Sequence, residues 1–210
     1  MSDHRLDHLV YATPNVEETV EDLFQTLGVR AFVGGQHVGW GTHNCLASLG
    51  DGVYLEIVGP DPRQPEPDRP RPFLIDHITS ARLITWAVSV PDMAAALAAS
   101  NAAGYDPGPA RAMSRATPDG GTLAWELTSP PLGDDGGLVP FILAWGSTVH
   151  PSTTSVQGLS LVSISATHPQ PEHVNRMLQA LGTSLAIEHG QQPRLEARLR
   201  GPAGEAVLHS

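Results

Sequence analysis

The sequence predicts an α+β protein built from repeated βαβββ modules. Three segments share one pattern: an apolar strand, a proline-containing turn, an amphipathic helix, a glycine and then further strands. They span residues 5–60, 82–146 and 158–208 of the 210-residue chain. Apolar residues make up 40% of the sequence and charged residues 16%, which is typical of a globular core. Repeated half-sheets of this kind can face one another and enclose a site.

The first module carries the clearest local signals. Leu6 to Ala12 predicts a strand, and Asn15 is a candidate N-cap for the helix that follows. Gly28 is placed to end that helix. Between the two, apolar residues recur at helical spacing: Val16, Val20, Leu23, Phe24 and Leu27. Strands are predicted at 30–33, 44–49 and 53–58, and the Asp-Gly pair between the last two is a strong hairpin signal.

The rest of the chain repeats these signals after a proline-rich linker at residues 61–81. The second module is predicted to contain a strand, a helix and two later strands, at 84–90, 92–103, 122–128 and 139–145. The third is predicted to contain a strand, a helix and three strands, at 159–166, 172–181, 185–188, 194–199 and 206–208.

Composition and charge argue against nucleic acids and membranes as partners, so we expect the ligand to be a small molecule. The net charge of −10 argues against binding to nucleic acids or anionic membranes. No run of about 18 apolar residues predicts a transmembrane helix. Cys45 is the only cysteine, so it cannot form an internal disulfide, and the first residues lack the pattern of a secretory signal. We therefore expect a cytoplasmic protein.

Four segments of the chain carry a family resemblance: residues 6–12, 39–44, 50–60 and 139–146. They resemble the vicinal oxygen chelate superfamily, which includes glyoxalase I, extradiol dioxygenases, fosfomycin-resistance proteins and bleomycin-binding proteins, and they are most similar to its glyoxalase-like domain branch. The resemblance implies paired modules that form cupped mixed β-sheets with helices on the outer face. It also implies a divalent metal ion (Zn, Fe, Mn, Ni or Co) bound by the first and last strands of each module.

His8 and Glu56 match the first-module ligands of this superfamily. Period-2 alternation is consistent with the match, because it places both on the cup-facing side of their strands, together with Val10 and Tyr54. Each residue also has a structural interpretation. His8 could bond a neighbouring module, and Glu56 could pair with a buried arginine or lysine.

The second module departs from the superfamily pattern. Thr85 stands at the histidine position, and Leu143 or Ala144 stands where a carboxylate is implied. His43 is a candidate third ligand, which would give two histidines and one carboxylate from the first module alone. It could instead serve as a general base or be an ordinary loop histidine. Metal binding and a metal-free site therefore both remain open.

Four further residues are candidates for contact with a ligand. Trp40 lies between two glycines on a segment that could act as a lid, or it could pack between modules. Asn44 could bond a substrate carbonyl, or it could cap a turn. Trp125 and Trp145 could line an apolar pocket.

These patterns support two main functions. The first is a metalloenzyme in which the metal acts as a Lewis acid and Glu56 or His43 moves protons in lyase or isomerase chemistry beside a carbonyl group. Extradiol-type oxygenation uses similar ligands and is less favoured. The second is a metal-free protein that binds a small molecule in the same cup. A third possibility is an interaction module. The third repeat has no partner module, and its unpaired sheet edge could pair with a second copy of the chain to form a homodimer.

Overall fold

The computed structural model describes residues 4–117, 120–128 and 135–210. The second predicted module, 82–146, includes residues 118–119 and 129–134, which lie outside the described residues. The strands are β1 (Arg5–Ala12), β2 (Phe32–His37), β3 (Thr42–Gly50), β4 (Val53–Pro60), β5 (Arg82–Ser89), β6 (Ala110–Ala116), β7 (Thr122–Thr128), β8 (Phe141–Ala144), β9 (Ser160–His168), β10 (Ala186–His189), β11 (Arg194–Arg200) and β12 (Glu205–His209). The helices are α1 (Val16–Leu27), α2 (Met93–Ala102), α3 (Pro151–Thr154) and α4 (Pro171–Ala180), with a 3₁₀ segment at Pro72–His77. Within these described ranges, no helix is long and apolar enough to cross a bilayer.

Local capping interactions set the limits of the first two helices. The side chain of Asn15 accepts a hydrogen bond from the backbone N–H of Glu18, and Asp92 caps α2 in the same way. Gly28 has a φ of 79°, and its N–H donates to the carbonyl oxygen of Phe24. Helix α1 therefore begins and ends where the sequence predicts.

Eight strands form one mixed sheet in the order β2-β3-β4-β1-β5-β8-β7-β6. Its two halves meet where β1 pairs antiparallel with β5. In each half the first strand pairs parallel with the last, β1 with β4 and β5 with β8. The two repeats thus have the same pairing as well as the same element order, and the predicted α+β architecture with a cupped sheet is confirmed.

The two faces of this sheet carry separate hydrophobic clusters. Leu9 and Ile57 belong to the cluster on the outer face, which also includes residues of α1, α2 and α4. Their neighbours Val10 and Val58 belong to the inner cluster, together with Leu143. Adjacent residues of one strand therefore serve opposite faces, as the geometry of a β-strand requires.

A second sheet, in the order β10-β9-β11-β12, packs on the outer face of the first. Strands β11 and β12 contact β5, and β12 also contacts α1. In this unit β9 pairs parallel with β10 and antiparallel with β11, so its pairing differs from that of the other two repeats. Its buried apolar residues extend the outer cluster: Leu195, Ala197, Leu199 and Leu208.

The edge strands β2 and β6 approach each other and nearly close the cup. The guanidinium group of Arg115 on β6 donates a hydrogen bond to the carbonyl oxygen of Gly34 on β2. A β-carbon at Gly35 would overlap the carbonyl oxygen of Ala116. The two strands can come this close only because β2 has glycine at this position.

We expect Gly35→Ala to lower the free energy of unfolding by about 2 kcal/mol, because its β-carbon would force the two edge strands apart. Urea unfolding followed by circular dichroism measures the change. Gly104→Ala is the matched control. Gly104 has a φ of 89° but nothing within 4 Å of an added β-carbon, so only a backbone cost of roughly 1 kcal/mol is expected. A Gly35 variant as stable as this control would contradict the close contact.

Candidate functional site

The inner face of the eight-stranded sheet encloses a cavity of about 250 Å³. One side, here called the polar wall, comes from the first half of the sheet and consists of His8, His37, Asn44, Tyr54 and Glu56. The opposite side, here called the apolar wall, comes from the second half and consists of Met113, Trp125, Leu127, Phe141, Leu143 and Trp145. The two halves of one sheet thus present different chemistry to the same space.

Asp7 and His8 form a bonded pair on β1. The pairing of β1 with β5 shifts register between Leu6 and His8, which marks a β-bulge at Asp7. Asp7 Oδ1 accepts a hydrogen bond from His8 Nδ1 at 2.7 Å. Asp7 Oδ2 accepts from Trp145 Nε1 at 3.0 Å and from His150 Nε2 at 2.9 Å. One carboxylate therefore receives three donors.

The charge of Asp7 fixes the proton position on His8. Asp7 is 1% exposed, and burial acts to raise the pKa of its carboxyl group. The hydrogen bonds from His150 and His8 outweigh burial and hold that pKa well below its usual range. Because an ionised carboxylate can only accept, His8 carries a proton on Nδ1. In neutral His8, Nε2 is then an unprotonated acceptor at the cavity.

Glu56 lies next to that acceptor and is fixed by a chain of polar side chains. Glu56 Oε2 is 3.7 Å from His8 Nε2, and Glu56 Oε1 accepts from Asn44 Nδ2 at 2.6 Å. Asn44 Nδ2 is also 3.4 Å from His37 Nε2, while His37 Nδ1 bonds Thr42 Oγ1 at 2.9 Å. Burial lowers the pKa of His37, which favours its neutral form in this chain.

Arg115 adds a positive charge to the cavity lining. It is 6% exposed, and its one hydrogen bond to the described residues goes to the carbonyl oxygen of Gly34. No carboxylate in the described ranges lies within ion-pairing distance of it. Burial lowers the pKa of Arg115, while the negative charge of Glu56 acts in the opposite direction.

The segment that the sequence predicts as a linker lies over the mouth of the cavity. Pro72 and Phe73 line it, and the ring centroid of Phe73 is 6.1 Å from that of Phe141. Trp40, between β2 and β3, also lines the cavity, and the guanidinium carbon of Arg69 lies 5.0 Å from its ring centroid. Residues 61–78 and the turn at Trp40 therefore limit access to the polar wall.

Comparisons with known proteins agree with this architecture. The sequence profile of the glyoxalase-like domain family matches residues 6–182. The chain belongs to this family. The predicted membership of the vicinal oxygen chelate superfamily is confirmed. No curated protein matches the sequence.

Solved structures resemble this glyoxalase-like domain at low sequence identity. A hypothetical protein from Staphylococcus aureus is 13% identical with a TM-score of 0.63, covering 97% of this chain and 84% of that one. A mutant of 4-hydroxymandelate synthase from Streptomyces coelicolor is 11% identical with a TM-score of 0.52, covering 100% of this chain and 63% of that one. Methylmalonyl-CoA epimerase in complex with methylmalonyl-CoA and NH4+ is 19% identical with a TM-score of 0.48, covering 71% and 100%. At these identities the likeness concerns the fold alone.

The glyoxalase-like domain brings most of the predicted site residues to one cavity. Those that line it are His8, Trp40, Asn44, Glu56, Trp125 and Trp145. His43 does not line it. It lies next to the inward-facing Asn44 on β3, and its Nε2 is 3.9 Å from Oε1 of Glu17 on α1, at the outer face of the sheet. The expectation that His43 acts as a ligand or a base in this cavity is corrected by that placement.

The four-ligand metal set implied by the family resemblance does not fit the described residues. Thr85 and Leu143 line the cavity where ligands from the second half are implied. In the described parts of the chain, no group of three or more histidine, cysteine or acidic side chains is arranged to hold an ion. The amide of Asn44 also bonds Glu56 and sits beside His37. The described lining therefore offers at most three neighbouring donors where the family's metal set needs four: His8, Glu56 and His37, whose Nε2 is 3.9 Å from Glu56 Oε1.

The sequence does not predict four residues of this site: Asp7, His37, His150 and Arg115. Asp7 has a local signal, because it is a charged residue inside an apolar strand and directly precedes His8. His37 is 9% exposed because β2 extends to it, beyond the predicted end of the strand. Arg115 reaches the cavity, and His150 reaches Asp7, through packing between distant segments, which leaves no local pattern.

Proposed function

We propose that this glyoxalase-like protein is an enzyme that moves a proton at a carbon beside the carbonyl group of a small molecule. The reaction class is isomerase or lyase. The observation that supports this proposal is the Asp7–His8 pair with Glu56 3.7 Å from its free nitrogen. These groups lie in a cavity with an otherwise largely apolar lining.

In this proposal, His8 Nε2 is the general base. It accepts the proton from the carbon, and the electron pair of the broken C–H bond moves onto the carbonyl oxygen to form an enolate. Asp7 holds the required tautomer and stabilises the imidazolium that forms. It is a positioning residue, since its own oxygens are occupied by three protein donors.

Glu56 is the second group able to carry a proton. Asn44 holds one of its oxygens, which leaves Oε2 directed toward His8. A proton returned to the same or to a neighbouring carbon completes an isomerisation, and loss of a leaving group from the enolate completes an elimination. Residues 61–78 and the turn at Trp40 limit access to the cavity, which restricts the entry of water to the enolate.

Solvent exchange tests the proposal, because it detects proton transfer whichever product forms. In D₂O, wild-type protein should accelerate loss of the proton signal beside the carbonyl in at least one member of a panel of small aldehydes, ketones and 2-oxo acids. His8→Gln should lower that rate at least about 100-fold, since general-base catalysis contributes typically 10²–10⁴. His43→Gln, a change of the same type on the outer face of the sheet, should retain the rate within about twofold.

Two further outcomes of this experiment are decisive. A His8→Gln variant that exchanges as fast as wild type would refute the role of the base. A chelator should leave the rate unchanged, because the described donor set does not match the family's metal set. Loss of activity with chelator and recovery with one divalent ion would show that a metal takes part.

A metal-free binding protein is the second candidate function. The apolar wall favours it, because Trp125 and Trp145 lie with ring centroids 5.4 Å apart and could hold an aromatic molecule. Under this alternative, panel members bind and stabilise the protein, but no exchange occurs in wild type or in His8→Gln.

A further inference from the structure

Arg115 is an unusual residue for the lining of a cavity of this kind. A guanidinium group has five N–H donors, and the hydrogen bond to the carbonyl oxygen of Gly34 uses one nitrogen. The group is 6% exposed and has no carboxylate partner among the described residues. A buried charge of this type is costly unless an anion and further hydrogen bonds compensate it.

A purely structural role accounts for part of this arrangement. The bond to Gly34 joins the two edge strands of the sheet, and a neutral donor could make the same bond. This structural role does not explain why the donor at the cavity carries a permanent positive charge. Glu56 is the opposing charge that acts most strongly on Arg115, but it is not within ion-pairing distance and it is already bonded by Asn44.

We propose that Arg115 binds the carboxylate of a compact organic monoanion whose apolar body lies against the apolar wall. A planar guanidinium matches a carboxylate through two parallel hydrogen bonds. The claim that this monoanion is the substrate rests on the proposed function. The claim that Arg115 binds a carboxylate does not.

The charges around the cavity favour a monoanion over a dianion. Arg115 is the one arginine in the described lining, which holds no lysine, while Glu56 and Asp135 also line the cavity. The charge of Asp7 is already met by three donors. One cation can balance one carboxylate, whereas a phosphate dianion would leave excess negative charge next to Glu56.

The size and lining of the cavity define the rest of the ligand. At about 250 Å³ it exceeds the roughly 150 Å³ that suffices for benzene in an apolar protein cavity. The apolar wall presents Trp125, Phe141 and Trp145 to such a body. The ligand class is therefore a small aryl- or alkyl-substituted carboxylic acid in its ionised form.

Matched pairs of acids and amides test the inference. The probes are benzoate, phenylacetate and 3-phenylpropanoate, each beside its neutral amide of nearly equal shape. Binding is followed by tryptophan fluorescence, since Trp125 and Trp145 line the cavity, and by ligand-observed NMR. Wild type should bind at least one acid about tenfold more tightly than its amide, the gain expected for a hydrogen bond to a charged group.

Two variants separate recognition from folding. Arg115→Met should reduce the affinity for the acid to that for the amide while the affinity for the amide stays unchanged. Arg115→Lys, which keeps the charge but not the planar fork, should give an intermediate preference. If Arg115→Met fails to fold, the intermediate preference of the lysine variant still decides the question. Preference for an acid that persists in Arg115→Met, or an absence of preference for any acid in wild type, would overturn the inference.

The same probes distinguish this inference from the proposed function. His8→Gln should keep the preference for the acid, because His8 does not contact Arg115 in the hydrogen-bond network. A wild type that prefers acids but catalyses no exchange would refute the enzyme and leave the carboxylate site in place.

Discussion

Asp7→Asn should reduce the rate of proton exchange about 10³- to 10⁴-fold while leaving ligand binding nearly unchanged. An amide at this position can present an N–H to His8 Nδ1, which would move the imidazole proton to Nε2 and remove the base from the cavity. In catalytic triads, the equivalent change of the orienting aspartate costs about 10⁴ in kcat. The measurement is the exchange rate in D₂O together with the affinity for the carboxylate probes.

The same variant should change how stability depends on pH. The pKa of Asp7 in the folded protein is lowered below its unfolded value of about 3.9, because hydrogen bonds from His150 and His8 outweigh the effect of burial. A lowered carboxyl pKa stabilises the fold above the unfolded pKa, and this contribution is lost as pH falls toward the folded pKa. Wild type should therefore lose stability more steeply than Asp7→Asn below about pH 4.

Urea midpoints at pH 7, 5, 4 and 3 provide the comparison. Asp22→Asn on the exposed face of α1 is the control, and it should follow the wild-type pH dependence. Wild-type exchange rates in Asp7→Asn would show that Asp7 does not position His8 for catalysis. A wild-type pH dependence of stability in the same variant would show that the charge of Asp7 does not stabilise the fold.

Asp61→Ala should lower the free energy of unfolding by about 3 kcal/mol and expose residues 61–78 to proteolysis. Asp61 is 2% exposed and accepts hydrogen bonds from three side chains and one backbone N–H. One of these donors, Gln36 on β2, ties the segment to the sheet at 2.5 Å. Removing a buried acceptor leaves its donors without partners, which costs about 1–3 kcal/mol for a single group and more for charged ones.

Asp68→Ala is the control for Asp61, because it removes the same charge from a more accessible position of the same segment. It should change stability by less than about 0.5 kcal/mol. Urea unfolding gives the free energies, and trypsin cleavage of the Arg63–Gln64 bond reports on the segment itself. Equal protease sensitivity in the two variants would show that Asp61 does not hold the segment over the cavity.

Short-range patterns were sufficient to predict helices α1, α2 and α4 and most strands, but not the short helix α3. Asn15 and Gly28 act on residues within four positions, so their effects can be read directly from the sequence. The alternation of His8 and Leu9, and of Glu56 and Ile57, likewise requires only the geometry of a single strand. These signals depend only on residues that are close along the chain, so the sequence alone is sufficient to predict them.

The remaining site features depend on contacts between distant segments. Strand β3 begins at Thr42, earlier than predicted, so strand alternation reaches His43 and turns it away from the cavity. The bulge at Asp7 is a property of the pairing between β1 and β5. Strand β6, which carries Arg115, has no strong apolar alternation and is held by β7 and by the edge contact with β2. None of these features has a local signature.

The difference between the polar and apolar walls has a consequence for the engineering of this protein. The proposed base and acid, His8 and Glu56, both lie in the first half of the sheet, so apolar side chains of the second half can change without removing either of them. Randomising Met113, Leu127 and Leu143 should therefore alter which molecules are accepted while the reaction itself persists. Selectivity and reactivity would then be separable properties, because different halves of the sheet supply them.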